Sequence, residues 1–256
     1  MNPMQVLPVR TAGAAENMAW DFLLLRRYPD PRALRFRHYE WRGPAFTFGF
    51  SQKIAWVREN LTPPSQTPDS GIDLCRRPTG GGIVDHRHDW TYALVAPRGH
   101  PLYEMRATQS YRVVHECLAT VLSALGQPAA LQTGPALVER VDPNAPSGEA
   151  LQAPAVPLPG ICFQRAELYD VIRPGTGAKI AGAAQKRDKH GLLFQGSIEK
   201  GSVGAVDWDE FQQRFTAALA RALESEAAET PWPELNEEEV SGLIEQYSSP
   251  EWIEYR

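Results

Sequence analysis

Two arginines followed closely by three glycines make Arg76-Arg77-Pro78-Thr79-Gly80-Gly81-Gly82-Ile83-Val84-Asp85-His86 the densest chemistry-bearing stretch of this chain. Glycines let backbone approach a ligand closely and present N–H donors, and the arginines supply positive charge beside them. The stretch is not a P-loop, because the Gly-Lys-Ser/Thr ending is missing, nor is it a GxGxxG fingerprint. Read alone, it also fits a glycine-rich hairpin with no ligand. A second segment, Lys179-Ile180-Ala181-Gly182-Ala183-Ala184-Gln185, mounts one lysine on a strand of small and apolar residues. Burying that ammonium is expensive without a partner or a task, and the alternative is a strand-end lysine reaching water.

Three cysteines, Cys75, Cys117 and Cys162, are widely spaced and odd in number, which is no disulfide framework. Cys117 falls on the apolar stripe of a helix and reads as a core thiol. Cys75 precedes the two arginines in a strand, where basic neighbours favour a thiolate. Cys162 follows a proline-rich segment, where a thiol either reaches solvent or packs into a strand. His86 and His88 lack acidic or cysteine companions at ligand spacing, so no metal site is expected. No Gly-x-Ser-x-Gly elbow is present.

The elements that position these groups follow from periodicity. Ala15 to Arg27 reads as a helix, with Met18, Phe22 and Leu25 at helical spacing and Pro29 and Pro31 beyond it. Ser110 to Gly126 is the clearest helix, and Asp207 to Leu223 and Glu237 to Tyr247 are two more. Strands are expected at Leu34–Trp41, Phe46–Phe50, Ile72–Arg76, Trp90–Ala96, Leu168–Ile172, Lys179–Ala183 and Leu192–Ile198. Residues 141–160 turn to Pro, Ala and Ser without periodicity and read as a long mobile loop. Strands and helices mix without a βαβ rhythm, so the fold class is α+β, a largely antiparallel mixed sheet with packed helices.

Composition bounds the rest. The chain has 256 residues, 43 % of them hydrophobic and 22 % charged, with a net charge of -5. These values suit an ordinary globular protein and argue against disorder. From Asp207 to Arg256 there are thirteen acids and three bases, so the preceding 206 residues carry +5. That division suggests a mildly basic body over 1–206 and an acidic helical extension over 207–256 packed on it. The extension reads as a solvated acidic face, and the basic body suits an acidic protein partner. The acidic pI argues against nucleic acid as a partner. No apolar run reaches the ~20 residues of a membrane span, and the N-terminus lacks signal-peptide features, so a cytoplasmic location is expected.

Taken in order, these segments resemble the biotin/lipoate protein ligase A/B superfamily. The likeness runs from about residue 15 to residue 200. It includes Asn17-Met18-Ala19-Trp20-Asp21, Phe48-Gly49-Phe50-Ser51-Gln52, the arginine–glycine stretch, Asp89-Trp90-Thr91-Tyr92, the Lys179 segment and Gln195-Gly196-Ser197-Ile198. The resemblance implies an apolar acyl tunnel beside the glycines, near the lysine. Cys162-Phe163 through Tyr169-Asp170-Val171-Ile172 is similar to the nucleophile stretch of the cysteine octanoyltransferases of lipoate assembly. Two departures stand out: Gly82 completes a triple glycine as in the ligases, and Gln195 stands where the family usually has His.

That resemblance implies an acyltransferase without a cofactor. Cys162 is its nucleophile and Lys179 its second catalytic group. Arg76, Arg77, Thr79, Gly80, Gly81, Gly82, His86, Gly182 and Ala183 are its substrate-binding residues. The implied donor is octanoyl acyl carrier protein, and the acceptor is a lysine of a lipoyl domain or of the glycine cleavage H protein. The rival is an ATP-dependent lipoate ligase acting through an acyl-adenylate, with Arg76, Arg77 and Lys179 on the phosphates and the carboxylate. A third reading is a non-catalytic acyl-carrier binding protein.

Overall fold

Alternating residues from Leu34 to Trp41 build a strand at the centre of the molecule. The computed structural model describes residues 2–27, 31–61, 71–134, 137–140, 151–154 and 165–255. The chain opens with β1 (Asn2–Val6) and β2 (Arg10–Ala12), passes into α1 (Ala14–Arg26) and returns through β3 (Leu34–Trp41). A smaller unit follows, formed by β4 (Ala45–Phe48), α2 (Ile54–Asn60), β5 (Asp73–Arg76) and β6 (Val84–Asp85). Next come β7 (Asp89–Pro97), α3 (Pro101–Glu104), α4 (Ala107–Ala124), β8 (Ala130–Leu131), β9 (Leu137–Arg140) and β10 (Leu151–Pro154). The last third holds β11 (Val171–Ile172), β12 (Lys179–Asp188), β13 (Gly191–Glu199), α5 (Trp208–Ala222), β14 (Ser225–Glu229), α6 (Glu237–Ser248) and α7 (Pro250–Ile253).

The main sheet runs β14-β1-β3-β7-β13-β12-β11-β8, with β2 beside β3, and a second sheet runs β5-β4-β6. Pairings from β3 through β7, β13, β12 and β11 to β8 are antiparallel, while β1 lies parallel to both β3 and β14. The expected α+β class is what forms. β7 is buried along its whole length, because helices cover both faces of the sheet. On one face Phe36, Trp90, Tyr92 and Phe194 pack with Phe211 and Phe215 of α5 and with Leu118 and Leu122 of α4. On the other, Ala93, Val95 and Leu193 meet Leu24 and Leu25 of α1. The segment from 207 onward thus supplies core through α5 and an edge strand through β14.

Some expected elements differ. Within the stretch read as a loop, Leu151–Pro154 forms a strand paired antiparallel with Leu137–Arg140, since backbone hydrogen bonding needs no apolar alternation. Residues 141–150 and 155–160 lie outside the described residues. The strand expected at Leu168–Ile172 shrinks to Val171–Ile172, because Tyr169 has φ 68° in a turn. The lysine strand is longer than its apolar part and continues to Asp188. No described helix is long and apolar enough to cross a membrane.

The charged side of β3 faces α1 instead of water. Arg35 donates to the carbonyls of Leu24 (3.1 Å) and Arg27 (2.8 Å), at the helix end where cations are favoured. Arg37 pairs with Asp21 at 2.7 Å, both groups essentially without exposure, and also donates to the Asn17 carbonyl at 2.8 Å. Removing one member of such a pair leaves a buried charge uncompensated. Arg37→Ala should therefore lower unfolding free energy by about 3–5 kcal/mol. Chemical denaturation checks this, and adding Asp21→Ala should recover part of the loss.

Candidate active site

The glycine stretch lies across the first turn of the smaller sheet. Phe50 N–H donates to the Thr79 carbonyl at 2.9 Å, and Arg77 N–H to the Phe48 carbonyl at 2.8 Å. A Cβ on Gly49 would sit 2.0 Å from the Gly81 carbonyl oxygen, so only glycine permits this crossing. Arg77 donates to the carbonyls of Gly80 and Gly82, both at 2.9 Å, and to Thr47 Oγ1 at 2.7 Å. Its guanidinium shapes the loop from beneath. Arg76 turns the other way. Its fully buried guanidinium donates to the carbonyls of Phe50, Gln52, Trp252 and Ile253, tying α7 to the loop.

Lys179 opens β12 and is buried. Its Nζ pairs with Asp170 Oδ2 at 2.7 Å, which supplies the partner that burial of this ammonium demands. The side chain lies over Gly182, where a Cβ would stand 2.6 Å from both Cε and Nζ. Asp170 also accepts from Tyr111 Oη, and Glu167 N–H donates to Asp170 Oδ2 at 2.7 Å. Burial and the neighbouring Asp170 push the Tyr111 phenol well up, so it acts as a donor. Its oxygen in turn accepts from the Ala183 N–H at 2.9 Å. One phenol thereby fixes the carboxylate and the strand that carry the lysine.

His86 stands between Thr47 and Asp89. Its Nε2 is 2.7 Å from Thr47 Oγ1, and its Nδ1 is 2.6 Å from Asp89 Oδ2. Asp89 Oδ2 also accepts from Thr91 (2.8 Å) and Ser197 (2.5 Å). The imidazole stacks on Trp41 with centroids 4.0 Å apart. Nearby, Gln195 bridges two elements, accepting from Thr79 Oγ1 at 2.7 Å and donating from Nε2 to Asp21 Oδ2 at 2.6 Å.

A single cleft collects Arg77, His86, Lys179, Gly182, Ala183 and Gln195 on its walls. Arg76, Thr79, Gly80, Gly81 and Gly82, expected to bind substrate, do not line it. Thr79 reaches the cleft through its bond to Gln195, the carbonyls of Gly80 and Gly82 are turned toward Arg77, and that of Gly81 accepts from Gln52. Asp170, Tyr111, Thr47 and Asp89 belong to the site yet were not singled out from sequence. Their signals were an acid directly before a strand, a tyrosine in the first turns of a helix, and two residues inside motifs read for other members. Among the described residues, no His, Cys, Asp and Glu cluster could hold a metal ion.

Cys162 lies outside the described residues. The other two thiols are buried. Desolvation pushes Cys75 far up despite the neighbouring arginines, and it pushes Cys117 up to about 11. The sequence expectation that basic neighbours activate Cys75 is thus overturned by burial. At pH 8, iodoacetamide should label Cys75 and Cys117 at least about 100-fold more slowly than a free thiol, with full labelling on unfolding. Peptide mass spectrometry checks this.

His115, fully buried in α4, donates from Nδ1 to the Tyr169 carbonyl at 2.7 Å and so props the turn carrying Asp170. Desolvation lowers it to about 4. Unfolded, it takes up a proton near ~6.5, so the unfolded state binds more protons between those values. Stability should fall as pH drops through that window, by on the order of 3 kcal/mol from this group. His115→Gln should flatten that slope in denaturation curves recorded from pH 7 to 4.

Residues 13–238 match the family model of the lipoyl protein ligase A/B catalytic domain. The octanoyltransferase LipM of Geobacillus kaustophilus is 30 % identical over 187 residues, covering 72 % of this chain and 60 % of that protein. The chain therefore spans under two thirds of that relative's length. The octanoyltransferase LipM of Bacillus cereus is 30 % identical over 213 residues, covering 82 % of this chain and 68 % of that protein. The fold is similar to the bi-partite lipoate protein ligase of Thermoplasma acidophilum, with TM-score 0.68 at 20 % identity, over 100 % of this chain and 98 % of that one.

Proposed function

The chain belongs to the lipoyl protein ligase A/B catalytic domain family, and from that premise we propose that it is a protein octanoyltransferase of lipoate assembly. The observation that carries the proposal is a buried lysine, Lys179, paired with Asp170 and laid over Gly182 in a narrow cleft, in a chain whose relatives are octanoyltransferases. The donor is octanoyl acyl carrier protein, and the acceptor is a lysine of a lipoyl domain or of the glycine cleavage H protein. The chemistry lies within 1–206, and 207–256 completes the same fold through α5, β14 and α7.

In the first half-reaction the thiolate of Cys162 attacks the donor's thioester carbonyl, and the carrier's thiolate leaves. The burial of Cys75 and Cys117 supports Cys162 as nucleophile, since the other two are held as thiols. Lys179 polarises the carbonyl and favours the thiolate. In the second half-reaction the acceptor amine attacks the acyl-enzyme, exchanging a thioester for an amide, so no ATP is consumed. Arg77, His86, Gly182 and Ala183 line the cleft that holds the acyl group, while Thr79, Gly80, Gly81 and Gly82 stand behind it and support Arg77 and Gln195.

The bonds of Arg76 and Arg77 favour transfer over ligation. Both guanidiniums are spent on backbone carbonyls and Thr47, and gripping phosphates would require breaking those contacts. Intact-mass spectrometry after mixing with octanoyl acyl carrier protein, without ATP, tests the reading. The expected product is a hydroxylamine-labile octanoyl adduct, absent in Cys162→Ala. ATP-dependent modification of an acceptor domain from free octanoate, with no such adduct, overturns it.

A further inference from the structure

Arg76 and Trp252 hold each other by reciprocal bonds. Arg76 Nε donates to the Trp252 carbonyl at 2.9 Å, and Trp252 Nε1 donates to the Arg76 carbonyl at 2.9 Å. Arg76 Nη2 reaches the Ile253 carbonyl at 2.7 Å, where the end of a helix leaves acceptors short of donors. On its other side the same guanidinium donates from Nη1 to the carbonyls of Phe50 (2.7 Å) and Gln52 (2.8 Å). One planar, fully buried cation thus joins α7 to the turn that follows β4. The Trp252 ring adds packing to these bonds, with centroids 5.8 Å from Phe50 and 5.0 Å from Tyr247 of α6.

Neither Arg76 nor α7 lines the cleft, yet two short routes lead from them to its wall. In the first, Phe50 N–H donates to the Thr79 carbonyl at 2.9 Å, and Thr79 Oγ1 donates to Gln195 at 2.7 Å. In the second, Gln52 Nε2 donates to the Gly81 carbonyl at 3.3 Å, and the flanking carbonyls of Gly80 and Gly82 accept from Arg77. Gln195 and Arg77 both line the cleft. Gly49 crosses Gly81 with no room for a Cβ, so a shift of the turn is passed to the glycines. The far end of the arrangement is fixed by α6, whose Tyr247 packs on Phe22 of α1 with centroids 6.4 Å apart.

We propose that α7 is a clamp that sets the acyl cleft from outside it. Arg76 and Trp252 are its positioning residues: they hold the turn at 50–52 so that the glycine stretch presents Arg77 and Gln195 to the acyl group. The inference rests on the transfer reading above only for what the cleft holds. It gives a task to the acidic C-terminal segment, since α7 lies beyond the residues that match the family model. It also gives Arg76 a role other than the substrate contact expected from sequence. Wall residues grip the acyl chain alike before and during reaction, so a loosened clamp shows in KM more than in kcat.

The test compares the full wild-type chain with Trp252→Ala and Trp252→Phe. Hydrogen exchange is followed by NMR at the Phe50 and Arg77 amides, which bond the Thr79 and Phe48 carbonyls. KM and kcat for octanoyl acyl carrier protein are measured alongside. In Trp252→Ala, exchange at both amides should rise by about 10-fold or more, with β7 and β13 unchanged. KM should rise by about 10-fold while kcat stays within about threefold of wild type. Trp252→Phe keeps the ring packing and should recover most of both effects. Faster exchange in β7 and β13 as well would mean that Trp252→Ala weakens the whole fold. Ser249→Ala then replaces it, removing the hydroxyl that accepts from Trp252 N–H at 3.2 Å, with the same pattern expected at about threefold. Unchanged exchange at the two amides, or a loss of kcat with KM unchanged, overturns the clamp. Absence of transfer by the wild-type chain instead defeats the transfer reading, and exchange still decides whether α7 holds the loop.

Discussion

The buried pair of Arg37 and Asp21 is the constraint on which the cleft side of the molecule rests. Two opposite charges without water are tolerated only when every donor and acceptor is engaged. Here Arg37 is shared between Asp21 and Asn17, and Tyr39 Oη donates to Asp21 Oδ2 at 3.3 Å. The same carboxylate accepts from Gln195, and Gln195 accepts from Thr79 at the entrance to the glycine loop. A charge requirement inside the α1–sheet interface thereby extends to the glycine loop. α1 cannot slide along β3 without breaking it.

Two polar systems then meet across the cleft, each anchored on a different element. Lys179 is held by Asp170, which is held by Tyr111 of α4 and by the turn at Tyr169. His86 is held by Asp89 at the start of β7, with Ser197 of β13 and Thr91 donating to the same oxygen. Between them the sheet carries small residues, Gly182, Ala183, Ala184 and Gly196, of which Gly182 gives room to the Lys179 side chain and Gly196 to the Tyr92 ring. Preorganised polar groups at the rim of a space kept open by small side chains suit a reaction that shifts charge onto a carbonyl oxygen. Beyond the glycine loop, the carbonyls of α7 take up Arg76.

Much of this was legible in the sequence. The 3.6-residue stripe of α4 follows from its one buried face, and β3 and β13 could be read as strands from alternating residue type and from a short apolar run, although each is buried on both faces. The ordered motifs around Asn17, Gly49, Arg76, Lys179 and Gln195 pointed to one family and one cleft. What local pattern could not supply was the environment of each polar group. Ser225–Glu229 is rich in Glu and Ala, which favour helix, yet forms a strand because β1 offers an unpaired edge. Its exposed residues give no alternation to read.

Residue type and order determined the fold class, the position of the glycine loop and the presence of a lysine needing a partner, because hydrophobic periodicity and glycine's freedom act over a few residues. Tertiary structure decided which charges are used and how. Arg76 and Arg77 are adjacent in sequence, yet β5 sends one toward α7 and the other beneath the glycines. Cys75 has basic neighbours but is silenced by burial, a property of packing that no window of sequence contains. Asp170 and Tyr111 are 59 positions apart and meet only because α4 lies against the strand leading to Lys179. Long-range contact sets desolvation, and desolvation sets which ionisable groups are free to act.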